Sequence, residues 1–245
     1  MQKTNSNSSS LSVQRIIKGL TLSKSLFVST LLWGEAHTGK QTLVRSVYPK
    51  AEFIDGRKID NLKDILDSNK EIFIYNFEAI RNIQSINLEN RRVVAIANYD
   101  KVPSSIESSF AFIYNMPPLT DRFNDVQNFI NGFTEELQDE LMIKDEIDID
   151  VKHLDLSQNF KSLKISLHRE FIKKTLSKQD IEEILFDYFY DRIEGKNSYR
   201  ENLSLYEKPL IEAGLKRFKS QLKLSEVLGL NRNTLRKKIH EHNIN

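Results

Sequence analysis

SLFVSTLLWGEAHTGKQTLVRSVY, residues 25–48, decides the fold of the first two thirds of the chain. Ser25–Trp33 is a β-type run, and the glycine that follows it opens a loop. Gly34, Gly39 and Lys40 have the G-x4-G-K spacing of a phosphate cradle, with Glu35 and Thr38 inside it and a helical segment, Gln41–Val47, after it. In that order of strand, loop and helix, backbone N–H groups point at a bound β-phosphate and the lysine reaches the outer phosphates. The strict motif places Ser or Thr after the lysine, as a magnesium contact, and here that position is Gln41. Such loose spacing is common by chance. The flanking strand and helix are what give it weight.

Working outward, Val13–Leu20 has the spacing of a short amphipathic helix, preceded by a Ser/Asn-rich arm, residues 1–12, that reads as disordered. After the loop, β and α patterns alternate. Strands are expected from Ala51, over Glu71–Phe77, from Arg91 and from Phe110, with helices over Asn61–Ser68 and Ala79–Asn87. That alternation predicts a parallel, three-layer α/β core over residues 13–120. Residues 121–194 read as helices with charged faces and include an acidic connection, Lys144–Leu156. Ser177 and Asp180 have capping-box spacing, and Ile181, Ile184, Leu185, Tyr188 and Phe189 form a stripe suited to a packed lid or a dimer seam. Residues 195–204 read as a linker.

The tail, residues 205–245, carries three apolar helical sets. Pro209 suits a first helical turn, Gly229 a tight turn, and Asn231 a helix N-cap. The last helix begins with Arg232, Thr234, Arg236, Lys237 and Lys238 and keeps Leu235 and Ile239 as an inward seam. From Asn202 onward there are nine Lys/Arg against four Asp/Glu, a net +5, whereas the whole chain is +2. A basic helix face can simply be solvated. The glycine turn, the cap and the inward seams together favour a helix-turn-helix with its recognition helix in a DNA groove.

Composition adds limits. There is no cysteine, so disulfides and thiolate metal sites are excluded, in keeping with a cytoplasmic protein associated with the nucleoid. The longest apolar run is too short to span a bilayer, so no membrane partner is expected. The five histidines have no metal-ligand spacing; His240 and His242, two apart, diverge on a helix. No catalytic triad and no metal site can be argued from spacing.

Two resemblances sharpen this reading. GLNRNTLRKKIHEHNIN, from Gly229, resembles the DNA-binding end of the bacterial Fis family. The resemblance implies a homodimer on double-stranded DNA, with Asn231, Arg232 and Lys237 nearest bases and Thr234, Arg236, Lys238 and Lys223 on phosphates. The body resembles the AAA+ domain of bacterial enhancer-binding proteins, the ATPase activators of sigma-54 polymerase, which often end in a Fis-type domain. GEAHTGKQ is similar to that family's phosphate loop, where Glu commonly follows the lysine. PPLTDRFNDV, from Pro117, is similar to its Pro-Pro-Leu-x-x-Arg signature, Asn98 stands at the sensor asparagine, and Lys161 at the sensor arginine. The fold implied is an AAA+ core with a helical lid, then an all-α Fis-like domain. The ligand implied is ATP or ADP, with magnesium left open by Gln41, and a homodimer or higher homo-oligomer.

The departures bear on activity. The acidic pair needed for hydrolysis aligns with Tyr75 and Asn76, with Glu78 two residues further on. VPSSIESSFAF lacks trans-acting arginines, and neither the sigma-contacting loop nor a receiver domain is recognisable. The expectation is a sequence-specific transcriptional regulator with little or no ATPase activity and no sigma-54 activation. The alternatives are an active P-loop ATPase switch on DNA that uses Glu78, and an architectural protein that bends DNA.

Overall fold

The computed structural model describes residues 10–60, 62–68, 71–81, 83, 87–143 and 147–244. The arm and Lys144–Glu146 of the acidic run lie outside them, apart from Ser10 onward. The chain divides into two compact units, Met1–Thr175 and Leu176–Asn245. The expected lid, 121–194, crosses that boundary.

Five parallel strands form the first unit's sheet: β1 Thr30–Trp33, β2 Phe53–Asp55, β3 Glu71–Tyr75, β4 Arg92–Ala97 and β5 Phe112–Asn115, in the order β2-β3-β4-β1-β5. The apolar residues of β1 do not alternate with polar ones, because both faces of the sheet are covered. Leu31 packs with Ile74, Val93 and Ala95 under α3 (Leu62–Ser68) and α4 (Ser104–Glu107). Leu32 faces the other way, with Phe73 and Val94, onto α1 (Leu11–Leu26) and α2 (Lys40–Val47). These are the three layers expected from the alternation.

Three boundaries differ from expectation. The run Ser25–Trp33 is a strand only from Thr30, because α1 extends to Leu26 and ends at Phe27, whose φ is 56°. Arg92 stacks over the Phe27 ring at 4.4 Å and also donates to the Lys24 carbonyl, which stabilises this helix end against strand propensity. In place of a helix over 79–87, the described residues hold a 3-10 turn, Phe77–Ala79, and Ile80 is extended and buried. Asn82 and Gln84–Ile86 lie outside the described residues. Asn76, at φ 52°, makes the reversal, and its carbonyl sits 2.3 Å from where a Cβ on Gly56 would stand. Third, the stretch expected as a linker is helical from Ser198, as described below.

The lid part of this unit comprises α5 (Phe123–Glu140) and α6 (Phe160–Thr175), which pack through Ile130, Phe133, Leu163, Leu167 and Phe171.

In the second unit, α7 (Lys178–Tyr190) carries the expected capping box: Asp180 N donates to Ser177 Oγ at 3.2 Å, and Ser177 N to Asp180 Oδ2 at 2.7 Å. Every residue of α7 is at least partly exposed. α8 runs Ser198–Phe218, so Pro209 lies inside it rather than in its first turn. The missing N–H leaves the Leu205 carbonyl without its helical donor. α9 (Gln221–Leu228) and α10 (Arg232–Glu241) complete the unit around Ile211, Leu224 and Leu235. No described helix is long and apolar enough to cross a membrane.

Candidate nucleotide site and nucleic-acid interface

The loop 34–39 leaves the carboxyl end of β1 and leads into α2, at the edge where open α/β sheets bind ligands. Two glycines are required there. Gly34 has φ 136°, and a Cβ on it would sit 2.5 Å from the Met116 carbonyl. Gly39 has φ 90°, with the Phe160 ring 3.1 Å from the same hypothetical atom. Lys40 is 4% exposed. Its ammonium donates to Gly34 O at 2.8 Å, to Glu35 O and to Thr38 Oγ1 at 3.5 Å. Burial lowers its pKa from 10.5 to about 8, while the charges of Glu78 and Glu35 act the other way. An anion at the loop would supply the charge partner that burial denies this lysine. Glu35 and Gln41 are exposed, and Gln41 presents an amide where a hydroxyl would favour magnesium.

Asn98, one residue beyond β4, donates to Glu78 Oε1 at 2.8 Å. Glu78 Oε2 is buried with no hydrogen-bond partner among the described residues. The 3-10 turn thus brings Glu78 to Asn98 and within electrostatic reach of Lys40. Asn76 instead turns to Asp55, its Nδ2 lying 2.9 Å from Oδ1. Arg57 and then Asn76 hold the Asp55 carboxyl well below the usual carboxylate range. No group of three His, Cys, Asp or Glu side chains suited to a metal occurs among the described residues.

Lys161 is exposed. The lid residues that touch the loop are its neighbours and Arg122. Asn159 Nδ2 donates to Glu35 Oε2 (2.9 Å) and Ala36 O (3.0 Å), Phe160 N to His37 O (3.1 Å), and Arg122 Nη1 to Thr38 O (2.8 Å). Arg122 is itself paired with buried Asp125 at 2.8 Å. Neither Arg122, the arginine of the Pro-Pro-Leu-x-x-Arg segment, nor Asn159 is among the site residues expected from the sequence. The signal available was that Asn159 precedes the helix holding Lys161.

The second unit presents a different chemistry. Gly229, at φ 63°, ends α9, and Asn231 Oδ1 caps α10 by accepting from Asn233 N at 2.8 Å. A Cβ on Gly214 would sit 2.3 Å from Leu224 Cδ1, so α8 and α9 pack closely there. Leu235 is fully buried, while Arg232, Thr234, Arg236 and Lys237 on α10 and Lys223 on α9 are exposed. Asn233 and His240 share that exposed face. Lys238, expected as a phosphate contact, is engaged within the unit. It lies three residues after Leu235, on the inward side, and forms an ion pair with Glu207 of α8. His242 Nε2 lies 3.0 Å from the other oxygen of the same carboxylate. Lys238 first, then His242, holds the Glu207 carboxyl below its ordinary pKa.

Residues 203–242 match the family model of the bacterial regulatory proteins of the Fis family. A comparison of the sequence with curated proteins gives no match. Among solved structures, the chain is similar to NtrX from Brucella abortus in complex with ATP. The identity is 12% and the TM-score 0.50, over 96% of this chain and 68% of that one. It is also similar to a RuvB variant from Thermotoga maritima, at 14% identity and TM-score 0.44, over 91% of this chain and 82% of that one. PCH-2 from C. elegans follows at 11% and 0.36, over 76% and 64%. The first unit has the α/β fold of AAA+ proteins, and the second carries a helix-turn-helix of the Fis type.

Proposed function

We propose that this chain is a sequence-specific, DNA-binding transcriptional regulator of the cytoplasm and nucleoid. Its AAA+ body binds ATP or ADP and turns it over slowly or not at all. The observation that carries the reading is the exposed basic face of α10 above a buried Leu235 seam, within a Fis-type match. Arg232 and Lys237, with Asn231 at the cap, are assigned to base edges. Thr234, Arg236 and Lys223 are assigned to phosphates. Homodimerisation through α7 is supported by Ile181, Ile184, Leu185 and Tyr188, which are 37–55% exposed along one stripe. Two copies would place two recognition helices on half-sites one helical turn apart.

The deciding experiment is a genome-wide map of bound sites followed by binding to the recovered sequence. Arg232→Ala and Lys237→Ala are expected to reduce discrimination between that sequence and random DNA. Equal weakening on both DNAs refutes their assignment to bases. Absence of duplex binding at moderate ionic strength refutes the function.

Nucleotide binding is supported by the loop conformation, the two positive-φ glycines and the buried Lys40 ammonium. A second reading, an active ATPase switch coupled to DNA, is favoured by one observation: the Glu78 carboxylate held at Asn98 with its other oxygen unpartnered. When bound, magnesium would supply charge neutralisation at the transferring phosphate, and Glu78 is the residue to face it. Phosphate release measured with and without DNA separates the readings. Turnover lost in both Lys40→Ala and Glu78→Gln establishes the second.

A further inference from the structure

The lid clasps four consecutive residues of the phosphate loop through three donor atoms. Asn159 takes the Glu35 carboxylate and the Ala36 carbonyl, Phe160 the His37 carbonyl, and Arg122 the Thr38 carbonyl. Asn159 is the hub. It is 2% exposed and sits at φ 53°, a conformation asparagine adopts more readily than most residues. Both of its amide protons are used on the loop, and its Oδ1 accepts from Leu119 N at 2.8 Å. One side chain therefore joins the chain entering α5, the start of α6 and the loop.

A loop that grips phosphate turns its N–H groups toward the ligand, so its carbonyls face the other way. The lid takes three such carbonyls, those of Ala36, His37 and Thr38. Its hold on them fixes the peptide planes, and with them the direction of the amide protons. Rigid backing of this kind raises affinity by reducing the ordering that binding would otherwise require.

We propose that Asn159 is a positioning residue that sets the loop's affinity for phosphate groups without touching them. The inference rests on the nucleotide-binding reading and adds a specific device to it. Only an amide satisfies the geometry. Aspartate could still accept from Leu119 N, but it has no protons for Glu35 or Ala36 and would set two carboxylates against each other.

The test uses the full chain and two probes, inorganic tripolyphosphate and ATP, titrated calorimetrically. Asn159→Ala is expected to weaken both by about tenfold, the scale of one lost buried hydrogen-bonding group. Asn159→Asp is expected to weaken both further. Adding Glu35→Gln to Asn159→Asp is expected to recover part of that loss, because the introduced amide can donate to the introduced carboxylate. A merely structural role for Asn159 gives no reason for rescue from position 35. Wild-type affinity in a folded Asn159→Ala protein overturns the proposal, as does failure of the rescue.

Hydrogen exchange on the wild-type protein keeps the question open to test if the variants do not fold. Tripolyphosphate is expected to protect residues 35–39 and 160–164 together, and protection confined to the loop overturns the latch. Should the wild-type chain bind neither probe, the nucleotide-binding reading fails first and the latch with it.

Discussion

Raising the pH from 7 to 9.5 is expected to weaken phosphate binding at the loop and to stabilise the ligand-free first unit, through the same residue. Lys40 has its pKa lowered from 10.5 to about 8, chiefly by burial. Only the ammonium form attracts a phosphate strongly. Affinity therefore falls about tenfold per pH unit above 8, or about thirtyfold across this range. Folding stability moves in the opposite direction. Between about 8 and 10.5 the unfolded chain holds more protons on this lysine than the folded chain does, so stability rises with pH through that window. By pH 9.5 the gain is about 2 kcal/mol. The assay is tripolyphosphate titration and denaturant unfolding at several pH values, on wild type and on Lys40→Met. The difference between the two proteins isolates this group from others that titrate nearby. Lys40→Met should bind weakly at every pH and lack the wild type's rise in stability. A wild-type affinity that stays flat from pH 7 to 9.5 refutes the argument. So does an equal pH dependence of stability in both proteins.

Three other perturbations follow from the geometry. Arg236→Gln should lower the slope of log K against log salt by about 0.9 per recognition helix, about 1.8 for the dimer, whereas Lys238→Gln should leave it unchanged, because Glu207 already holds that charge; equal slopes for the two variants contradict the inward assignment. Ile184→Glu combined with Leu185→Glu, on the exposed stripe of α7, should convert a dimer to monomer in sedimentation and weaken binding to a two-half-site DNA by at least tenfold; an unchanged sedimentation coefficient removes α7 from the interface. Gly34→Ala meets both a φ of 136° and the Met116 carbonyl at 2.5 Å, so it should cost on the order of 2 kcal/mol in unfolding and abolish tripolyphosphate binding; a variant that melts and binds like wild type would mean the loop can relax.

What the sequence made legible was what local chemistry dictates. Glycine spacing after an apolar strand marks a phosphate loop because positive φ and close approach leave few other residues possible at Gly34 and Gly39. Strand and helix alternation gave the layers because burial on both sheet faces makes Ile72–Ile74 of β3 and Val93–Ala97 of β4 continuously apolar. The misreadings arose where distant contacts decide. Phe27 ends a helix rather than continuing a strand because Arg92, far along the chain, stacks on it. Pro209 is tolerated inside α8 although its local preference is for a first turn. Lys161 has the chemistry of a phosphate sensor, yet Asn159 and Phe160 meet the loop, a placement that depends on how the lid packs. Lys238 pairs with Glu207 of α8, a contact between helices that the sequence of α10 does not display.

Binding and turnover make separate demands on the crevice, which gives a last prediction about the body's role. Holding a nucleotide needs directed N–H groups and a cation, demands that the proposed function assigns to the loop with its clasped carbonyls and to the Lys40 ammonium. Turnover also needs a carboxylate poised on water or metal, and Glu78, whose charge reaches Lys40 and whose other oxygen is unpartnered among the described residues, is assigned that part on the second reading. If occupancy is the signal, its size follows from linkage: a ligand at one hundred times its Kd stabilises the state that binds it by about 2.7 kcal/mol. That is enough to move a two-state equilibrium about a hundredfold. ATP and an analogue with a non-hydrolysable β–γ bridge should then change DNA affinity equally, and Lys40→Ala should abolish both effects. A response to ATP alone, with the analogue inert but bound, would show that cleavage is part of the signal and would replace the occupancy reading with the turnover one.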